Sequence, residues 1–539
     1  MNAILSRTLL SCTISFPLIV AACTITTAPN ESEGSGGSSS GQSGGGGRAG
    51  AASGGASTSG GRSAGSQGGK SSSAGAAGVP NPGEAQAGAG GVGGSSEDPV
   101  AGGMGGEVQV PSEGGMGGSA EPPTSAQRFF LPTPNSTNTV APRVLVDKNG
   151  SVHAAYPAYA GGRAFYAYCR SDCARPASFQ VVELDVGDSI ANVALALTSE
   201  GKPRLVLSEF DKVYYATCDA QCGTRGAWSV TPVFDHDNSM EVTGQALALD
   251  SSGRPRFLMH TYVALLGIGQ KEPKTMLASC DANCNTSENW RFDVVSQDIW
   301  QYPDMRVDAQ GRTHVAAAQV VFQDNVPTDK LATHFLCDAN CSAASAWQSV
   351  PLAILFEDTV VKPSLSLSLT PAGGARVALV IEDNDASTPD GRYLAYAECD
   401  GDCELEDWRA VLISQNRAIR SGVSLALDGG KPRVAFTLDY NIGIYQCDAN
   451  CTDSDWQLTE VEFARNLPAD DIFLFPGCSA GAWFLDSPSL TIAADHSLRV
   501  GYRAYDVSGA TQPPLDPTKP RCKTGLDFTW ARLATLPPQ

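Results

Sequence analysis

Six cysteine pairs are the residues of this chain best placed by spacing to do chemistry: Cys169/Cys173, Cys218/Cys222, Cys280/Cys284, Cys337/Cys341, Cys399/Cys403 and Cys447/Cys451. Thiols at this spacing bind zinc when two pairs converge, or bond to each other in an oxidising compartment. Each pair belongs to its own copy of a repeat, and copies on separate units cannot share an ion. Six short disulfides are therefore expected, with no metal and no other cofactor.

Acidic side chains come next. Glu382-Asp383-Asn384-Asp385 and Asp470-Asp471 gather carboxylates, and glycoside cleavage uses a carboxylate pair at a set separation. No spacing here establishes that separation. Asp235, Asp237 and Asn238 flank His236 with oxygens suited to calcium, but without a complete calcium-loop pattern. Asp281, Asp338 and Asp448 recur inside Cys-Asp-Ala-Asn-Cys tips, which points to turn chemistry before catalysis. His153 and His314 hold matching places in two repeats, which points to structure. No Gly-x-Ser-x-Gly elbow, phosphate loop or His-Glu-x-x-His stretch is present, and no catalytic residue is assigned. With 57 acidic against 37 basic residues, the chain lacks the basic footprint of a nucleic-acid binder.

The elements that carry these residues repeat. A tryptophan follows the second cysteine by five or six residues at Trp228, Trp290, Trp347, Trp408 and Trp456, and Phe179 takes that place in the first unit. An alternating run, an Asp/Gly turn and a second apolar run travel with each pair, as in ALALDSSGRPRFLM and PDMRVDAQGRTHVAAA. Seven copies turn near Asp147, Ser199, Asp250, Asp308, Pro371, Asp428 and Asp495. Asp bonds the backbone that follows it, and Gly takes positive φ. Two further strands complete each unit, one entering the first cysteine and one carrying the aromatic residue. Four-stranded units in seven copies make an all-β fold, a seven-bladed β-propeller with disulfide-closed hairpin tips.

The seventh unit departs from the pattern. Cys522 precedes Phe528 by the offset that separates Cys173 from Phe179, and Thr518 stands where its partner would be. A longer Cys478–Cys522 bridge is expected, with Phe528 as the seventh blade-packing aromatic. Arg128-Phe129-Phe130-Leu131 is the first apolar material before the ring and is expected to dock at its seam.

Residues 1–22 read as a signal peptide: Arg7, an apolar run, then Val20-Ala21-Ala22. Residues 23–126 form a Gly/Ser/Ala-rich stretch with too little apolar surface to fold, a disordered tether. The ring occupies 127–539. Val20-Ala21-Ala22-Cys23 resembles the bacterial lipobox, and the whole pattern resembles the propeller-type repeat lipoproteins of myxobacteria-like cell envelopes. That resemblance implies a lipid on Cys23, a bilayer as partner and an outer-membrane address, facing the periplasm or the surface. It carries no catalytic motif. The functional expectation is a monomeric, membrane-anchored binding scaffold for a protein or glycan ligand, not an enzyme. The alternative is a carbohydrate-active hydrolase or lyase. Insertions near Gln270–Lys274, Asn325–Lys330 and Asp383–Asp390 are candidate contact loops.

Overall fold

The computed structural model describes residues 125–538, except 135–137, 159–162, 188–189, 210–211, 236–239, 242–245, 262–273, 324–325, 357–358, 384–391, 415–418, 454, 465–466, 468–482 and 507–527. Among the described residues no helix is long and apolar enough to cross a membrane. Cys23, the signal and tether, Cys478, Cys522, the segment around His236 and Asp470-Asp471 lie outside the described residues.

Seven antiparallel sheets of the expected four-stranded kind form the ring; the third carries an extra two-residue strand. In the first six blades the chain runs from the innermost strand outward. The innermost strands are Arg143–Val146, Asn192–Leu197, Leu247–Leu249, Ile299–Val307, Thr359–Leu369, Ile419–Asp428 and Trp483–Ile492. Each touches the next, and the seventh touches the first, so the ring closes.

Closure uses both ends of the described chain. In the seventh blade the order from the centre is Trp483–Ile492, Leu498–Asp506, Phe528–Leu536 and then the N-terminal strand Gln127–Phe130. Gln127 pairs with Thr535 and Phe130 with Arg532. The segment at 128–131 therefore docks as the outermost strand. This corrects the place expected for Phe528. It opens the third strand, opposite Asp506, so its offset from Cys522 does not make it the counterpart of Phe179. The outer strand of that blade comes from the other end of the sequence.

Each turn between first and second strands is built as its residues dictate. Asp250 Oδ1 accepts the N–H groups of Ser252 and Arg254, both at 2.9 Å, and Gly253 sits at φ +75°, where a side chain would be strained. Asp147 and Asp308 repeat the arrangement.

The six bridges form: Cys169–Cys173, Cys218–Cys222, Cys280–Cys284, Cys337–Cys341, Cys399–Cys403 and Cys447–Cys451, with Cα separations of 5.4–5.7 Å. Identical spacing suggests six equivalent tips, and the structure corrects that in one respect. The first cysteine of every pair is buried, as are Cys173, Cys403 and Cys451, whereas Cys222, Cys284 and Cys341 are only partly buried. Cys222 and Cys341 lie beside tryptophans, Trp228 and Trp347, that are themselves half-covered. Cys403 lies beside the buried Trp408. The bridges at Cys222, Cys284 and Cys341 therefore stand closer to water than the other three, and cover does not follow the aromatic neighbour throughout, since Trp290 beside Cys284 is buried and Trp456 beside Cys451 is only partly so.

The tips are held from below by arginines that open the second strands. Arg256 donates to the Cys280 carbonyl at 2.9 Å and to Asp281 at 2.7 Å. Arg433 does the same to Cys447 and Asp448, and Arg204 to Cys218 and Asp219. The tip aspartates Asp219, Asp281 and Asp448 are thus each half of an ion pair. His153 and His314 stand in the arginine's place in blades 1 and 4.

The tryptophans join tip to ring. Each indole N–H donates to the carbonyl of its blade's second cysteine, at 2.9–3.2 Å: Trp228 to Cys222, Trp290 to Cys284, Trp347 to Cys341, Trp408 to Cys403 and Trp456 to Cys451. Four of the rings also meet an aromatic side chain on the third strand of the preceding blade: Tyr166 with Trp228, Tyr215 with Trp290, His334 with Trp408 and Tyr396 with Trp456. Trp347 instead meets Trp300 edge-on within its own blade. Phe179 meets Phe129 of the N-terminal strand across the seam. Trp290→Phe keeps the ring contact and removes the N–H. The variant should lose about 1–2 kcal/mol in urea unfolding, since the Cys284 carbonyl then lacks its donor. A loss below a few tenths would show that the bond is idle.

Candidate functional site

Two ends of the ring differ in kind. At one end stand the Asp/Gly turns and the disulfide tips, short and internally bonded. At the other stand the connections from second to third strand and from blade to blade, which vary in length. The inner strands of blades 4 to 7 break register near this second end, between Gln301 and Asp304, Val361 and Leu365, Ile419 and Val423, and Asp486 and Ser489. Bulges at a sheet edge re-aim side chains. Tyr302 lies in the first of them, at φ +51° and 37% exposed, with the Lys330 ammonium 5.8 Å from its ring centre.

Blades 6 and 7 add an aromatic and cationic group at the same end. Tyr440 stacks on Phe484 at 3.7 Å, and Phe484 meets Tyr505 edge-on. Arg420 lies over Tyr440 at 4.8 Å and Arg503 over Tyr505 at 4.4 Å. Asp439 and Tyr440 both take positive φ in the two-residue turn that presents the ring. Glycine or asparagine normally fills such positions, so the turn tolerates strain to hold a tyrosine there.

Further in, the inner strands are laced together. The backbone N–H of Leu367 donates to Asp304 at 2.8 Å, Leu425 to Ser366 at 2.9 Å, Leu490 to Ser424 at 2.9 Å and Val144 to Ser489 at 3.1 Å. Ser366, Ser424, Ser489 and Arg143 each come one residue before the donor on their own strand. Asp304, Ser366, Ser424, Ser489 and Arg143 therefore form one rung around the channel. Ala194 and Ala246 hold the same place in blades 2 and 3. Asp304 is fully buried. It contacts Arg306 at 2.6 Å and also accepts from the Ser366 hydroxyl at 3.1 Å. Burial pushes its pKa up, while Arg306 and these donors pull it down.

The residues singled out by sequence are scattered. His153 bonds the Tyr166 hydroxyl at 2.6 Å and lies 3.6 Å from Asp147. His314 sits between His334 at 3.3 Å and Asp308 at 3.4 Å. Both are buried at the turn end, the end that also carries the six bridges. The partly exposed cysteines Cys222, Cys284 and Cys341 are spent in those bridges and offer no thiol. Glu382 faces Arg392 at 3.6 Å. None of these joins the channel rung. Arg143, Asp304 and Arg306 were missed because each looks ordinary in its own repeat. The available signal was substitution of charge where sibling copies hold Ser or Ala, or at the Arg306 place also Leu145 and Thr491.

No family model and no curated protein matches this chain. Among solved structures it is similar to the polysaccharide lyase Uly1, at 9% identity and TM-score 0.46, over 76% of this chain and 92% of that one. It is similar to a PL25 ulvan lyase bound to -[GlcA(1-4)Rha3S]-, at 9% identity and TM-score 0.45, over 71% and 93%. A third is an alpha-L-arabinanase of Penicillium chrysogenum, at 10% identity and TM-score 0.39, over 77% and 99%. These three names run against the expectation of a binding scaffold that is not an enzyme, since each is printed as a carbohydrate-cleaving enzyme. At such identity and score the likeness transfers no residue, substrate or reaction.

Proposed function

We propose that the ring is a carbohydrate-active enzyme that cleaves a polysaccharide at the loop end of its central channel. The observation that carries this reading is the concentration of partly exposed aromatic and cationic side chains at that end: Tyr302 with Lys330, and Tyr440, Phe484 and Tyr505 with Arg420 and Arg503. Aromatic faces and fixed donors suit sugar rings, and loops on a rigid scaffold are where sites are built. Elimination fits the described residues better than hydrolysis. Hydrolysis calls for two facing carboxylates, whereas the rung offers one, Asp304, already committed to Arg306, Ser366 and Leu367. Elimination needs a base and a cation beside the sugar acid, and Tyr302 is the exposed phenol at the mouth.

The full chain should therefore release products from at least one of a panel of polysaccharides. Ultraviolet absorbance of unsaturated ends reports elimination, and new reducing ends report either route. Tyr302→Phe should lower kcat about 100-fold, the smaller end of general-base effects. No new ends on any polysaccharide would remove the enzymatic reading.

The envelope address and the Cys23 anchor belong to this proposal. Six disulfides suit an oxidising compartment, and a polysaccharide substrate is met outside the cytoplasm. Cys23→Ala should move the protein from the membrane pellet to the soluble fraction.

A further inference from the structure

Arg143 is out of keeping with its surroundings. It sits on the channel rung among serines and alanines, partly buried, and among the described residues its guanidinium has no hydrogen bond and no ion pair. The one carboxylate of the rung, Asp304, is spent on Arg306, the Ser366 hydroxyl and the Leu367 N–H. Arg306 adds a second guanidinium one rung towards the turn end, with 37% of its side chain exposed. Two arginines against one carboxylate leave these rung residues with an excess positive charge. Burial lowers the Arg143 pKa, Asp304 raises it and Arg306 lowers it again, so these charges act on one another across the ring. Blades 2 and 3 carry the small side chains Ala194, Ala196, Ala246 and Ala248 at the places matching Arg143 and Arg306, and so add no charge to either rung.

A cation withdrawn from water without a partner is unfavourable unless an anion joins it. Guanidinium is suited to planar and tetrahedral oxyanions, which it holds with paired N–H donors. We propose that Arg143, assisted by Arg306, is an oxyanion site that receives the carboxylate or sulfate of an acidic sugar unit. The sugar part of this inference rests on the polysaccharide-cleaving reading above; the anion part does not. It names the substrate class of the same mouth: an anionic polysaccharide, not a neutral one.

The test uses the full chain, with glucuronate, glucose 6-sulfate and glucose as probes at constant ionic strength. Glucuronate or glucose 6-sulfate at saturation should raise the unfolding midpoint by about 2–4 °C, and glucose should not. The larger shift identifies carboxylate or sulfate as the preferred group. Arg143→Met should abolish the shift, and Arg143→Lys should keep part of it, since a point charge remains without the fork of donors. Should Arg143→Met not fold, calorimetry on the wild type and Arg143→Lys decides. No response to either anion overturns the site, as does an unchanged response in Arg143→Met. The two readings separate cleanly. Anion binding without cleavage of any polysaccharide sustains the site and ends the enzymatic reading. Cleavage of a neutral polysaccharide with no anion response does the reverse.

Discussion

Arg532→Met should destabilise the ring by about 3–5 kcal/mol, the cost of leaving a buried charge unpaired. Arg532 is on the third strand of blade 7, and Glu462 ends the outer strand of blade 6. Their side chains are 2% and 5% exposed, and two hydrogen bonds of 2.6 Å join them. The Tyr502 hydroxyl also donates to Glu462. The same guanidinium lies 4.6 Å from the ring centre of Phe130, on the N-terminal strand. One arginine thus ties blade 6, blade 7 and the closing strand. Its removal leaves the Glu462 carboxylate with a single neutral donor from this set. The loss should appear in urea unfolding. Hydrogen exchange at residues 127–130 should quicken at the same time, because the strand loses its cation contact. Glu462→Leu together with Arg532→Met should recover most of the stability, since two apolar groups replace a matched pair. An Arg532→Met protein within 1 kcal/mol of the wild type would show that this cluster does not hold the seam.

The parts of the ring that were legible in sequence are those in which a backbone shape demands a residue type. Asp250 and Gly253 mark a turn because one bonds its own backbone and the other takes a positive φ. Cys280 and Cys284 mark a tip because their bond fixes the spacing. Repetition then supplies the architecture. Spacing says nothing of cover: at one and the same spacing Cys222, Cys284 and Cys341 are partly buried while Cys173, Cys403 and Cys451 are buried. The ion pair between Arg256 and Asp281 was half visible: Pro-Arg opens the second strand at 203–204, 255–256 and 432–433, yet its partner is a tip residue that passed for turn chemistry. Phe528 was misplaced because counting from Cys522 assumes that a blade is continuous in sequence, and blade 7 is not. The charged rung was not legible at all. Arg143 and Asp304 are about 160 positions apart, and only closure of the ring puts them on one rung. A binding site made by symmetry-breaking substitutions is invisible until the symmetry itself has a geometry.

A second symmetry-breaking residue, His334, governs how the ring responds to acid. His334 stands three residues before Cys337, where blades 1, 2 and 5 carry Tyr166, Tyr215 and Tyr396. It is 1% exposed, packs edge-on against Trp408, and has His314 as its polar neighbour. Burial, with His314 adding to it, pushes its pKa down to about 3. Burial also lowers His314, although Asp308 pulls the other way. An unfolded histidine titrates near 6.5. The folded pKa is the lower one, so the unfolded chain binds the extra proton first. The stability tied to His334 is whole above pH ~6.5 and falls by about 1.4 kcal/mol per pH unit below it, until the folded value near 3 is reached. Between pH 6.5 and 4.5 the loss from this residue is about 2 kcal/mol. His334→Tyr installs the residue that sibling blades use and has no charge to gain in that window. Its urea midpoint should therefore fall much less than that of the wild type over the same two pH units. Parallel curves would mean that His334 is already protonated in the fold, and that the contact with His314 has been assigned the wrong charge.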